Sequence, residues 1–293
     1  MPRSTLLSAT VIMMLGRKTA LAVSISTFML GVAPLTLTAQ QPPPSGPPRD
    51  TVPPLFVAHD LYYAGAFVAG TVLMFPADKA IAKELQRPGT QANRFLSHLS
   101  TDFRLSAQPG ALIIGGSLYA IGRVGHFDRV ADLGLHGTEA ILLGTGINYV
   151  LKGALGRARP YVVGDTNPHS FKFGRGFQKG NDYQSLPSGH TMAGFAAASA
   201  VTAETARWWP NSTWYIAPIM YGGATMIGLS RMYNNAHWAS DVIMGAGVGT
   251  FAGIKVVQYN HAHPNNRLDR ILLSTIVVPN GEGGVVVAWS MVP

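Results

Sequence analysis

Three short stretches of this chain collect residue types that act together on an oxyanion. They are Lys152…Arg159-Pro160, Pro187-Ser188-Gly189-His190 and Ser230-Arg231…His237…Asp241. Lys152, Arg159 and Arg231 are cations, and a guanidinium offers a planar donor fork that matches phosphate oxygens. Gly189 lets backbone approach a ligand, and the free N–H groups at a helix start form an anion site. His237 and Asp241 are spaced i,i+4, so on a helix their side chains adjoin. A carboxylate on one imidazole nitrogen sets the tautomer and leaves the other nitrogen free to attack. The set suits a phosphate-like group held by cations and passed through a covalent histidine intermediate.

These residues need helix ends to position them. Lys152 and Arg159 are seven residues apart, which on a continuous helix puts them on one face, with Pro160 ending it. Arg157 then falls on another face and is expected to be solvated. Ser188 is a natural N-cap, and His190 is expected on the first turn of the helix it opens. The first two stretches also have a bland reading. Basic residues at a helix C-terminus are favoured by the dipole alone, and a capped helix carries an incidental histidine often enough.

Apolar runs of helical character recur at Leu61–Ala77, Ala111–Val124, Thr138–Leu155, His190–Arg207, Thr213–Met232 and His237–Tyr259. The expected fold class is therefore all-α, a six-helix bundle spanning residues 55–262. The polar segment Tyr161–Leu186 is long for a bundle connection, and its Lys172, Arg175 and Lys179 could cap an anionic site. Residues 263–293 change character. Ile271–Pro279 and Val285–Val292 are β-rich around Asn280-Gly281-Glu282-Gly283-Gly284, which spells a small C-terminal β-hairpin.

Residues 1–39 read as an export signal: Arg17 and Lys18 precede an apolar stretch, and Thr38-Ala39 supply small residues before Gln40. An uncleaved anchor is the alternative. Residues 40–54 form a Pro-rich spacer with Pro42-Pro43-Pro44 and Pro47-Pro48. Hydrophobic residues make up 47% of the 293 and charged residues 12%, too apolar for disorder and too poor in charge for an ordinary cytosolic protein. The net charge of +8 favours anionic partners, but no nucleic-acid motif accompanies it. The absence of cysteine excludes disulfides and thiolate metal sites. His126, His136, His169, His261 and His263 show no metal-ligand spacing among themselves, so no metal site is expected. His261 and His263 are expected to be exposed.

Several runs hold only about a dozen apolar residues, short of the roughly 20 needed to cross a bilayer. Leu61–Ala77 and Thr213–Ser230 are long enough if slightly extended, and Lys79–Arg104 is basic, as a cytoplasmic loop would be. The expected address is a bacterial cell envelope, with a periplasmic or periplasm-facing domain and an integral membrane protein as the close alternative.

The pattern Lys-x6-Arg-Pro, Pro-Ser-Gly-His, Ser-Arg-x5-His-x3-Asp resembles the type 2 phosphatidic acid phosphatase superfamily, which includes bacterial class A acid phosphatases and vanadium haloperoxidases. Every motif position is present. The resemblance covers about residues 55–261 and implies a bundle of that type. It implies His237 as the nucleophile oriented by Asp241, and His190 as the general acid. Lys152, Arg159, Arg231, Ser188 and Gly189 would bind the phosphoryl oxygens. No metal or other cofactor is implied, three cations doing what Mg²⁺ does elsewhere. The implied activity is metal-independent hydrolysis of a lipid phosphate or diphosphate, or of a small phosphate ester. Alternatives are a vanadate-dependent haloperoxidase, a lipid phosphotransferase and an inactive envelope scaffold. Membrane association is expected, and nucleic acid is not a partner.

Overall fold

A computed structural model describes residues 54–107, 109–263 and 266, and the backbone of 275–279 and 285–289. The expected signal, nearly all of the Pro-rich spacer and the Asn280–Gly284 turn lie outside the described residues. The described chain is helical: α1 (Ala58–Leu85), α2 (Pro88–Gln91), α3 (Arg94–Ala107), α4 (Gly110–Val124), α5 (Asp128–Leu155), α6 (Arg175–Lys179), α7 (Gly189–Trp208), α8 (Thr213–Tyr233) and α9 (Ala239–Ala262). Two short 3₁₀ turns, Gly180–Tyr183 and Pro210–Ser212, join them. Thr275–Pro279 and Val285–Trp289 pair antiparallel, with Val277 opposite Val287.

Five of the six apolar runs lie within long helices and the sixth, His237–Tyr259, begins two residues before α9, so His237 stands ahead of that helix and not on it; the expected count of six is too low. Lys79–Arg104, read as a loop from its charge, is mostly helical: α1 continues to Leu85, and α2 and α3 follow. Basic residues are good helix formers, so charge did not signal a break. In α3 the apolar side chains recur on one face, which packs against α8.

α7 sits at the centre, against α5, α8 and α9. Its partners come close because small residues line the seam. A Cβ on Gly245 would lie 2.5 Å from the Ser188 carbonyl oxygen, and one on Gly249 2.2 Å from that of Met192. The core is correspondingly fine-grained, with Ala140, Ile141, Met192, Ala193, Ala196, Ala200, Val256 and Val257 in one cluster. Close backbones bring the N-termini of α7 and α9 to one rim beside the C-terminus of α5. That rim carries the motif residues.

The start of α1 is tied down separately. Asp60 stands in its first turn, accepts from the Val57 N–H at 2.8 Å and pairs with Lys255 of α9 at 2.7 Å. Lys255 also donates to the Leu55 carbonyl.

Candidate active site

α5 ends four residues before Arg159, not at Pro160. Gly156 caps it with φ 53°, and its N–H donates to the Lys152 carbonyl at 3.1 Å. Any Cβ at Gly156 would also lie 2.3 Å from the Lys172 carbonyl oxygen, so glycine is required by space and by backbone. Lys152 and Arg159 thus share no helical face. Arg159 lies in the non-helical segment that follows and turns back to the same rim.

Two of the three cations, Arg159 and Lys152, are aimed by the Tyr161–Leu186 segment. Asn181 holds Arg159 through its carbonyl and its side-chain Oδ1, both at 2.7 Å. The Gln184 carbonyl accepts from Lys152 Nζ. Lys172 and Lys179 are exposed, and Arg175 donates to the Gly156 and Ser170 carbonyls, so the loop's own cations do not form the expected cap. It is the loop's acceptors that position the site. Backbone carbonyls leave no side-chain signature, so sequence could not show this.

His237 is buried in the turn between α8 and α9. Its Nε2 lies 3.3 Å from an Arg159 terminal nitrogen, which can only donate. Nε2 therefore carries the lone pair and Nδ1 the proton. Nδ1 points toward Asp241 Oδ2 across 3.6 Å, an ion-pair separation and too long for a hydrogen bond. Asp241 is occupied elsewhere. It accepts from the Trp238 N–H at 2.8 Å, from the Ser185 hydroxyl and from Arg157. The adjacency expected from i,i+4 spacing is present, but Asp241 also serves as the acceptor that anchors the start of α9.

Arg157 overturns its expectation most sharply. It is fully buried, not solvated. It pairs with Asp78 of α1 at 2.7 Å and with Asp241, and donates to Ser240 Oγ at 2.7 Å and twice to the Pro168 carbonyl. Its guanidinium lies over the rings of Phe75, Phe171 and Trp238. Helical phase placed it outside, but the helix had already ended. Asp78 went unnoticed because its partner lies 79 residues away.

Ser188 stands at the N-cap of α7 without capping it; its hydroxyl accepts from Thr191 Oγ1 at 2.8 Å. A Cβ on Gly189 would lie 3.2 Å from Asn148 Nδ2 and 3.8 Å from Lys152 Cε. The glycine therefore packs directly against the Asn148 and Lys152 side chains, and a larger residue there would crowd Asn148. His190 is the second residue of α7 and half-buried. Arg231 is 8% exposed, and its Nε is buried without a hydrogen-bond partner.

The charges act on one another. Burial, then Arg159, Lys152, Arg231 and His190, hold the His237 imidazole neutral well below its usual range. Burial, then Arg231, Arg159, Lys152 and Arg104, push His190 down to about 4. Burial and the Arg159 and Arg231 charges lower Lys152 to about 7, with Asp241 opposing them. Among the described residues, none of Lys152, Arg159 and Arg231 is ion-paired with a carboxylate. Arg104, exposed in the last turn of α3, adds a cation at the mouth that sequence reading did not single out. Three desolvated cations around a neutral imidazole form a site that lacks an anion.

Residues 135–264 match the family model described as the PAP2 superfamily. A lipid A 1-phosphatase of Porphyromonas gingivalis is 39% identical over 104 residues, covering 36% of this chain and 22% of that protein. An undecaprenyl-diphosphatase of Sulfolobus acidocaldarius is 27% identical over 128 residues, covering 43% of this chain and 58% of that protein. The matched stretch thus spans less than two thirds of either relative. A transmembrane PAP2 type phosphatidylglycerolphosphate phosphatase from Bacillus subtilis has a similar fold, with a TM-score of 0.50 at 19% identity, over 72% of this chain and 99% of that one.

Proposed function

We propose, from the match of residues 135–264 to the PAP2 superfamily model, that the chain carries a domain of that superfamily and hydrolyses a lipid phosphate or diphosphate through a phosphohistidine, without a catalytic metal. The observation that carries this reading is the carboxylate-free trio of half-buried Lys152 and buried Arg159 and Arg231, whose charges all act on the His237 imidazole, with Arg159 3.3 Å from its Nε2. The two curated relatives act on phosphorylated lipids by name.

In the first step His237 Nε2 attacks phosphorus in line, a P–N bond forms and the P–O bond to the lipid breaks. His190 gives its proton to the leaving oxygen. Lys152, Arg159 and Arg231 hold the phosphoryl oxygens with the Ser188 hydroxyl and the Gly189 N–H. The proton on His237 Nδ1 faces Asp241, so the imidazolium formed on attack is stabilised where its charge appears. Water then attacks phosphorus, His190 takes its proton, the P–N bond breaks and phosphate leaves.

Among the described residues, α1 and α9 are the helices long and apolar enough to cross a membrane. In α9 half of that window is buried, as a core helix requires, but in α1 only 11% is. α1 leaves Leu61, Val68, Val72 and Leu73 exposed, a face that hydrocarbon tolerates and water does not. We read the protein as membrane-embedded in a bacterial envelope, with the catalytic rim facing the periplasm.

The test is phosphate release from detergent-solubilised protein. Substrates are phosphatidic acid, phosphatidylglycerol phosphate, undecaprenyl diphosphate and p-nitrophenyl phosphate, each with and without EDTA. Release from one of the lipids, unchanged by EDTA, is expected. Inertness toward all four, or full loss of activity with chelator, overturns the proposal.

The pH profile carries a second expectation. His190 is a poor proton carrier while the site is empty, because the cations disfavour its charged form. A bound phosphate dianion cancels that field and raises its pKa. The alkaline limb of kcat/KM reports the free enzyme and the limb of kcat reports the complex. The kcat limb should therefore lie at higher pH. His190→Gln should remove it and lower kcat by about 10²–10⁴-fold. Coincident limbs would contradict the role given to His190.

A further inference from the structure

The helices that carry Lys152, His190 and Asp241 bring a second set of chemistry-bearing residues together at their opposite ends. These are His136 on α5, Glu204 on α7 and His261 on α9. At 1.5 Å per residue they lie about 21–30 Å along their helices from the catalytic residues. Glu204 is fully buried and His136 nearly so, and the His261 side chain is 24% exposed. Glu204 Oε1 bonds His136 Nδ1, and both carboxylate oxygens lie within 3.0 Å of His261 Nε2. One ligand atom from each residue lies within 4.8 Å of the others. The imidazoles approach at 80° to each other, so they reach the carboxylate from different directions. Asp132, one turn before His136 on α5, is half-buried and close enough to feel the charges of all three.

A desolvated carboxylate needs a compensating charge. Among the described residues, no Lys or Arg forms an ion pair with Glu204 or Asp132. The groups that face Glu204 among the described residues are the His136 and His261 imidazoles, and a dication held among the three supplies that charge. We propose that His136, Glu204 and His261, with Asp132 as the fourth group, bind a divalent transition-metal ion of the zinc type. Two imidazoles and a carboxylate suit zinc, cobalt or nickel and do not suit calcium or magnesium. Tetrahedral bonds of about 2.0–2.1 Å need ligand atoms roughly 3.3 Å apart, a small spreading from the present contacts. The proton that each ring now gives to Glu204 moves to its other nitrogen, so both imidazoles ligate in neutral form. The ion would tie α5, α7 and α9 at the rim away from catalysis.

This inference does not rest on the phosphatase reading. Full-length protein with a histidine-free tag, stripped by chelator and reloaded with Zn²⁺, should retain one Zn²⁺ per chain after desalting. Zn²⁺ at about 100 times its dissociation constant should raise the unfolding midpoint by about 5–10 °C. Co²⁺ should give the visible absorption of a tetrahedral site. His261→Ala, at the least buried ligand, should lose the metal, the midpoint response and the cobalt bands. His237→Ala should keep all three, which separates this site from the catalytic histidines. Wild-type protein retaining no more Zn²⁺ than His261→Ala, or loss of the metal in His237→Ala, overturns the proposal. Where His261→Ala fails to fold, an unfolding midpoint of the wild type unmoved by Zn²⁺ overturns it equally.

Discussion

His237→Ala is expected to stay folded and to lose turnover by at least on the order of 10⁴-fold, the scale seen when a covalent nucleophile is removed. The fold should tolerate the change because His237 contributes little to it. Its Nδ1 has no hydrogen bond and its Nε2 meets only one Arg159 nitrogen, at 3.3 Å. The chemistry should not tolerate it, because the attacking lone pair is then lost from among the three cations. His190 is the other imidazole at this rim, and its role as proton donor leaves it no part in attack. The decisive readout is the intermediate. Brief exposure to phosphate-labelled substrate and an alkaline quench should trap an acid-labile, alkali-stable phosphohistidine in the wild type and none in His237→Ala. A trapped intermediate in that variant would move the nucleophile elsewhere. Orthovanadate, which adopts the geometry of the transferring phosphoryl group, should compete with substrate in the wild type.

The largest effect on stability is expected at Arg157, which touches no substrate. Its guanidinium joins Asp78 of α1 to Ser240 and Asp241 of α9 and to the Pro168 carbonyl, all in the interior. Arg157→Met strands two buried carboxylates, and breaking such a pair costs about 3–5 kcal/mol. For a domain of this size that is a fall of roughly 10 °C in the unfolding midpoint. Arg157→Lys should not rescue it, since one ammonium cannot reach both carboxylates and the carbonyl. Asp78→Asn combined with Arg157→Met should be less damaging than the sum of the two single changes, because each removes the other's unpaired charge. Additive effects would mean that the pair is not coupled. Turnover per folded molecule should also fall in Arg157→Met. Asp241 would lose one of its three anchors, and the proton on His237 Nδ1 would face a less fixed carboxylate.

Much of this site is legible in the sequence. Lys152, Arg159, Ser188, Gly189, His190, Arg231, His237 and Asp241 were all singled out from residue type and short spacing. The structure brings them to one rim. Local reasoning worked for the six long helices, because an apolar run of that length buries itself as a helix whatever it packs against. It failed for Lys79–Arg104, where charge was mistaken for a connection, and at the end of α5. There, Gly156 in the left-handed conformation stopped the helix before phase could place Arg157 and Arg159.

What the sequence determined by itself is the chemistry: which cations, which imidazoles and which carboxylate the chain has, and in what order. Side-chain type sets what each group can donate, accept or attack, and that does not depend on distance along the chain. Tertiary structure alone decided the partners. It turned Arg157 from a surface charge into the interior link between α1 and α9. It gave Asp241 three donors besides its histidine. It also drew His136, Glu204 and His261, up to 125 residues apart in sequence, around a single point. These are matters of burial and long-range contact, and a buried charge takes whatever partner the packing brings.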